Sequence, residues 1–158
     1  MHRTGIGFDS HRFVEGRPLV LGGQRIPFER GLAGHSDADA VAHALTDAIL
    51  GAAAAGDIGT LFPDTDPRWK GADSLGLLRE ACERVRQHGS IPRQADITVI
   101  IERPKLATYI PAMVQALSKA TGIPVGSLGL KAKTNEGMGF IGRGEGIAVI
   151  AVATVEAA

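Results

Sequence analysis

The sequence predicts an α+β chain, a compact α/β fold with a mixed β-sheet, three main helices packed on one face, and the other face at a subunit interface. Three observations predict it. Apolar residues recur at helical spacing in three segments. Short β-branched runs bounded by Gly and Pro separate those segments. The last run, 147–153, is apolar at both parities, so both faces of that strand need cover. Three helices cover one face of a sheet this size; a second subunit is the simplest cover for the other, and a two-sided cover within the monomer is the alternative. At 158 residues the chain fits one domain, 1–158.

The elements follow in order. Residues 3–9 form a strand. "RPLVLGGQRIPFER" is a hairpin, Leu19 to Leu21 and Arg25 to Phe28 about a Gly22-Gly23 turn. "HSDADAVAHALTDAILGAAAAG" is the clearest helix: Ser36 caps it with Asp39 at capping-box spacing, Val41, Leu45, Ala48 and Ala52 share a face, and Gly56 ends it. "DIGTLFPDTDPRWKGADS" is a loop. Ser74 to about Gln87 is a helix stopped by Gly89, with Leu75, Leu78, Cys82 and Val85 on one side. "ADITVIIERP" is a strand ended by Pro104. Residues 108–121 form a third helix through Ile110, Met113, Val114 and Leu117. "SLGLKAKTNE" is a strand entering the glycine-rich "GMGFIGRGEG", and "GIAVIAVATVEA" is the last strand.

Composition excludes several function classes. Seventeen Lys and Arg balance seventeen Asp and Glu, so formal net charge is zero. This argues against a general nucleic-acid or membrane-surface binder and leaves room for a local anion site. The one cysteine, Cys82, forms no internal disulfide. No apolar run reaches the length of a membrane span. The expected location is cytoplasmic, or a plastid after removal of a transit peptide.

Several features carry chemistry. Asp9 and His11 in "GFDSHRF" leave a strand on the same face about 6–7 Å apart, close enough to share a metal ion. Taken singly, such a pair is more often a turn aspartate and a surface histidine. Asp39, His43 and Asp47 follow at i+4 steps along the first helix. That is either a solvated polar stripe or an imidazole ligand flanked by supporting acids. One carboxylate and two imidazoles are a catalytic zinc set with an open fourth position. His35-Ser36 precedes the helix, where free N–H groups favour an anion, although Ser36 also serves as a simple cap.

Asp57, Asp64 and Asp66 flank a Phe-Pro turn, as turn formers or as acceptors for a sugar or base. Lys105 follows a strand end. Lys131, Lys133 and Asn135 share one parity. Five glycines within the twelve residues "NEGMGFIGRGEG" let backbone N–H groups approach phosphate, with Arg143 beside them; a tight hairpin needs glycines too. No Walker, Rossmann or nucleophile-elbow pattern is present.

Taken together, "GFDSHRF", "LVLGGQRIPFERGL", "HSDADAVAHALTDAILGAAAAGDIGTLFPDTDP", "KGADS" and "GMGFIGRGEGIA" closely resemble the 2-C-methyl-D-erythritol 2,4-cyclodiphosphate synthase family, nearly end to end. The resemblance implies a homotrimer with active sites between subunits and zinc on Asp9, His11 and His43. It implies a second divalent ion, magnesium or manganese, on Glu136. His35 and Thr134 would steady the transition state. Asp47, one turn after His43, is by its spacing the candidate to support that imidazole.

Substrate contacts are implied at Asp9, Ser10, His11, His35, Ser36, Asp57, Ile58, Gly59, Phe62, Pro63, Asp64, Thr65 and Asp66. They continue at Ile101, Glu102, Arg103, Pro104, Lys105, Leu106, Ala107, Lys133, Thr134, Asn135, Glu136, Phe140 and Arg143. The implied reaction converts a cytidine diphosphate ester of methylerythritol 2-phosphate to the cyclic diphosphate and CMP. A zinc-dependent phosphoester hydrolase and a non-catalytic nucleotide-binding oligomer are the rivals. "KTNE" stands where many members carry "TTTE", so Lys133 and Asn135 replace hydroxyl residues.

Overall fold

The longest strand, β1, spans His2–Val14 in a computed structural model that describes residues 1–158. It outruns the expected 3–9 because β7 (Gly146–Ala157) pairs with it antiparallel from His2↔Glu156 to Arg12↔Gly146. The ladder therefore carries Asp9 and His11 on regular strand. β2 (Leu19–Leu21) and β3 (Gln24–Ile26) make the expected hairpin. Its turn needs left-handed backbone at both central residues, which Gly22 (φ 56°) and Gly23 (φ 74°) supply. A short unpredicted β4 (Gly31–Leu32) extends the sheet beside β1.

With β5 (Ser90–Ile100) and β6 (Leu128–Lys133), the sheet order is β4-β1-β7-β5-β6. β5 and β6 run parallel, linked through α4 (Ile110–Thr121); the other neighbours are antiparallel. β5 starts five residues before the expected Ala95. Pro92 is tolerated there because a register shift between Pro92 and Gln94 relieves the ladder of its missing N–H.

α1 (Ala40–Ala52), α3 (Ser74–Gln87) and α4 lie on one face, as expected. Val41, Leu45, Ile49, Leu78, Cys82, Met113 and Leu117 meet Ile97, Val99, Val149 and Ala151 in one core. α1 seats directly on β1 because two strand positions lack side chains. A Cβ on Gly7 would stand 1.9 Å from the Ala44 carbonyl oxygen, and one on Gly5 2.2 Å from that of Ala48. Buried alanines on α1 complete the close approach.

Several expectations need correction. Ser36 does not cap α1. The helix begins at Ala40, and the Asp39 carboxylate accepts from the N–H of Ala42 (3.1 Å), Gly22 (2.9 Å) and Gly23 (2.7 Å). Asp39 is fully buried, so it belongs to no solvated stripe; burial pushes its carboxyl up to about 6 against those three hydrogen bonds. α1 ends at Ala52, and Ala54 (φ 55°) turns the chain before Gly56. The expected loop 57–74 contains α2 (Ile58–Leu61) and a 3₁₀ turn, Pro67–Trp69. α5 (Gly139–Gly142) interrupts the glycine-rich segment.

The second face of β7 is not covered within the chain. Ile150 and Val152 are 37% and 40% exposed, and their register partners Phe8 and Ile6 on β1 are 59% and 71% exposed.

Candidate active site

Strand alternation sends Asp9 and His11 to the helix-covered side, and α1 lays His43 over them. His11 Nε2 lies 2.8 Å and His43 Nδ1 3.1 Å from the same oxygen, Asp9 Oδ2. All three candidate ligand atoms lie within 4.8 Å of one another. Each imidazole has its other nitrogen engaged. His11 Nδ1 stands 2.6 Å from the Ala33 carbonyl oxygen. His43 Nε2 stands 2.7 Å from Ser74 Oγ and 3.2 Å from Ser36 Oγ.

A carbonyl only accepts, so His11 carries a proton on Nδ1 and its neutral form turns a lone pair toward Asp9. That lone pair and the carboxylate repel unless a proton or a cation stands between them. Tetrahedral zinc with bonds of about 2.0–2.2 Å holds its ligands about 3.3–3.6 Å apart, so the two contacts to Asp9 need open only slightly to accept the ion. One carboxylate and two imidazoles suit its chemistry.

Electrostatics follow from the crowding. Burial works to raise the Asp9 carboxyl, yet both imidazoles, when protonated in the metal-free chain, donate to it and hold it below its ordinary value. Burial works to lower His11, yet the bond to Asp9 and its charge lift it above 6.5.

The expectation that Asp47 supports His43 is corrected. Both nitrogens of His43 are taken by Asp9, Ser74 and Ser36. Asp47 instead accepts from the Ile58 N–H at 2.8 Å and anchors α2. Burial raises its carboxyl.

The cluster opens onto a cleft of about 440 Å³ lined by His11, His35, Ser36, His43, Ile58, Gly59, Phe62, Pro63, Asp64 and Thr65, with Trp69 and Leu77 behind. Arg17 donates to the carbonyls of Gly34 (2.6 Å) and Ser36 (2.5 Å), bracketing His35. Asp57 caps α2 through the Thr60 N–H (2.7 Å), and its bonds with Thr60 hold its carboxyl low. Asp66 caps the Pro67–Trp69 turn and pairs with Arg68 at 2.7 Å.

The remaining predicted residues gather elsewhere on the chain. Ile101, Pro104, Lys105, Leu106, Ala107, Lys133 and Thr134 line a pocket of about 150 Å³. Glu102 accepts from the N–H of Asn135 (2.9 Å) and Gly137 (3.2 Å), tying that pocket to the glycine-rich segment. Arg103 pairs with Glu29 at 2.6 Å, and Glu136 is exposed. Ser10, Phe140 and Arg143 border a third opening of about 670 Å³, shared with His11; Arg143 pairs with Glu145 at 3.1 Å.

The sheet register separates the first two groups. Asp9 stands beside Val149, Val149 beside Val99, and Val99 beside Ala132. Three strand steps at about 4.8 Å put roughly 14 Å between the metal cluster and the 132–134 pocket.

Sequence reasoning misses Ser74, Asp37 and Arg17. Their partners are 17 to 37 residues away, and spacing carries no trace of such contacts.

The sequence profile of the YgbB family matches residues 2–156. This chain belongs to the YgbB family. Among its relatives, 2-C-methyl-D-erythritol 2,4-cyclodiphosphate synthase of Salinibacter ruber is 53% identical over 156 residues, covering 99% of both chains. That of Burkholderia thailandensis is 56% identical over 153 residues, covering 97% of this chain and 94% of the other.

Solved structures agree in fold. A CDP-bound form of 2C-methyl-D-erythritol-2,4-cyclodiphosphate synthase superposes with a TM-score of 0.89 at 45% identity, over 98% of this chain and 100% of that one. The bifunctional IspDF of Campylobacter jejuni gives 0.96 at 44% identity; all of this chain matches, spanning 43% of that longer one.

Proposed function

We propose that this chain converts 4-diphosphocytidyl-2-C-methyl-D-erythritol 2-phosphate to 2-C-methyl-D-erythritol 2,4-cyclodiphosphate and CMP. It would act as a phosphorus–oxygen lyase in the non-mevalonate route to isoprenoid precursors. The observation that carries the reading is the convergence of Asp9, His11 and His43 on one point that opens into the cleft beside His35 and Ser36. Close relatives named for this activity support the choice of reaction.

Asp9, His11 and His43 would hold zinc, which when bound supplies Lewis acidity and a template for phosphate oxygens. Glu136 would hold magnesium or manganese together with substrate phosphates, a role one exposed carboxylate suits. An oxygen of the 2-phosphate attacks the β-phosphorus, and the bond to CMP breaks with its electron pair. That oxygen is already anionic at neutral pH, so no strong base is needed.

The work of the chain is positional and electrostatic. His35, bracketed by Arg17, and Ser36 face the reacting phosphates. The Ile58–Asp66 segment encloses the erythritol end. Ile101–Ala107 and Lys133–Asn135 hold the cytidine end, and Thr134 with His35 steadies charge in the transition state.

We further propose a homotrimer with each active site between subunits. Two features support it: the separation of the two subsites within one chain, and the exposed Ile6, Phe8, Ile150 and Val152. Burying what each still exposes gains part of the ~1.5–3 kcal/mol that full burial of such a side chain gives. The partner is a small-molecule cytidine diphosphate, with neither nucleic acid nor membrane involved; no helix is long and apolar enough to cross a membrane. A cytoplasmic location fits the lone buried thiol of Cys82.

The test is incubation with the cytidine diphosphate substrate and magnesium. CMP and cyclic diphosphate in equal amounts support the reading. Phosphate release without a cyclic product would instead indicate a zinc-dependent hydrolase, and CMP binding without turnover a nucleotide-binding oligomer.

A further inference from the structure

We propose that Asp37 and Ser74 form a relay that selects which nitrogen of His43 is free to bind a metal, making both of them positioning residues for that centre. The inference rests on the metal reading of Asp9, His11 and His43.

Ser74 opens α3 and is fully buried. Asp37 grips it twice: the carboxylate accepts from the Ser74 N–H at 3.0 Å and from the Ser74 hydroxyl in a short contact. The same carboxylate accepts from the Asp39 N–H at 3.1 Å, which fixes its own orientation. The backbone supports the arrangement, because the Asp37 N–H donates to the Ala72 carbonyl and the Gly71 N–H to that of His35.

Counting protons then sets the tautomer. A hydroxyl has one hydrogen, and an ionised carboxylate only accepts. The Ser74 hydrogen therefore points at Asp37, and a Ser74 lone pair faces His43 Nε2 at 2.7 Å. Nε2 must carry the imidazole hydrogen. Nδ1 is left to present its lone pair beside Asp9 Oδ2, where a cation is to sit. Ser36 Oγ, at 3.2 Å, is a weaker partner for the same nitrogen.

His11 reaches the same state by a different device, the Ala33 carbonyl. The two imidazoles thus offer opposite nitrogens, Nε2 and Nδ1, to one point. Only the His43 arrangement depends on side chains, so only it can be reversed by substitution.

The test uses the intact chain and zinc chloride alone. Zinc affinity is measured by competition with a chromogenic chelator, and the His43 tautomer by the ring ¹⁵N spectrum of the zinc-loaded protein. Thermal unfolding of the metal-free form serves as a control. Wild type should show a slowly exchanging hydrogen on His43 Nε2. Ser74→Ala should bind zinc roughly 10–100-fold more weakly, as loss of an outer partner does.

Asp37→Ala removes the acceptor and decides the matter if Ser74→Ala fails to fold. The Ser74 hydroxyl hydrogen is then free to point at Nε2. Hydrogen moves to Nδ1, the form that cannot bind the ion. Its zinc affinity should fall similarly, with the wild-type Nε2–H signal lost. Zinc affinity within about twofold of wild type in either folded variant would overturn the relay and leave the metal centre standing, since a lost outer partner costs far more. A wild-type chain that takes up no zinc would overturn both.

Discussion

His43 Nδ1 on α1 and His11 Nε2 on β1 approach one oxygen of Asp9, at 3.1 and 2.8 Å, from ring planes inclined by 53°. A strand supplies two of the three groups because alternate residues share a face. A helix supplies the third because glycines let it lie almost on the strand. The geometry demands something positive at the point where they meet.

Replacing His43 with Ala should abolish zinc binding and lower turnover by more than the roughly 100-fold that losing an outer partner costs. The core face of α1 is carried by Val41, Leu45 and Ile49, so the metal-free variant should still fold and unfold cooperatively. Metal content by atomic emission and a melting curve check both halves. Wild-type metal content and turnover would remove His43 from the centre.

pH should move metal affinity and metal-free stability in opposite directions. The folded value of His11 is raised above 6.5, so its pairing with Asp9 stabilises the metal-free chain fully below 6.5 and is lost as pH rises through the raised value. Asp9 is depressed, so its contribution holds above 3.8 and is lost as pH falls through the lowered value. Zinc requires neutral His11, so its affinity should fall as pH drops through the raised His11 value. Chelator competition and melting of the metal-free protein, run across the same pH series, give the two curves. Parallel trends would contradict the pairing.

The seat of α1 predicts a contrast between two glycines. Gly7→Ala drives a methyl into the Ala44 carbonyl region and should cost about 1–3 kcal/mol or more, weakening zinc binding as His43 lifts away. Gly51→Ala, with nothing nearer than 3.9 Å, should stabilise the helix by roughly 0.5–1 kcal/mol. Denaturant unfolding separates the two.

Thr134 lines the pocket beside Lys105 and Lys133. Thr134→Ala should lower kcat more than it raises KM, the pattern of an interaction made in the transition state. A changed KM with unchanged kcat would instead make Thr134 a substrate-binding group.

Legibility in the sequence followed the range of the physics. Period-two alternation put Asp9 and His11 on one face, and helical spacing put Val41, Leu45 and Ala48 on another, because both patterns are local. The sequence points to Ser36 as the α1 cap and the structure has Asp39, whose carboxylate is held by two further partners, Gly22 and Gly23, from a distant hairpin. Gly5 and Gly7 carry no local signal of their role, and the need for them appears only once α1 lies against β1. Asp47 sits at ideal spacing from His43, yet the Ile58 N–H claims it. Ser74 gave no signal, because its contact with His43 spans 31 residues of chain.

The most direct measurement is anomalous diffraction at the zinc edge from crystals grown with zinc. The account predicts one peak about 2.0–2.2 Å from Asp9 Oδ2, His11 Nε2 and His43 Nδ1, its fourth position facing the cleft and held by no side chain of the protein. No peak at that point, or a peak closed by a fourth protein ligand, would contradict it.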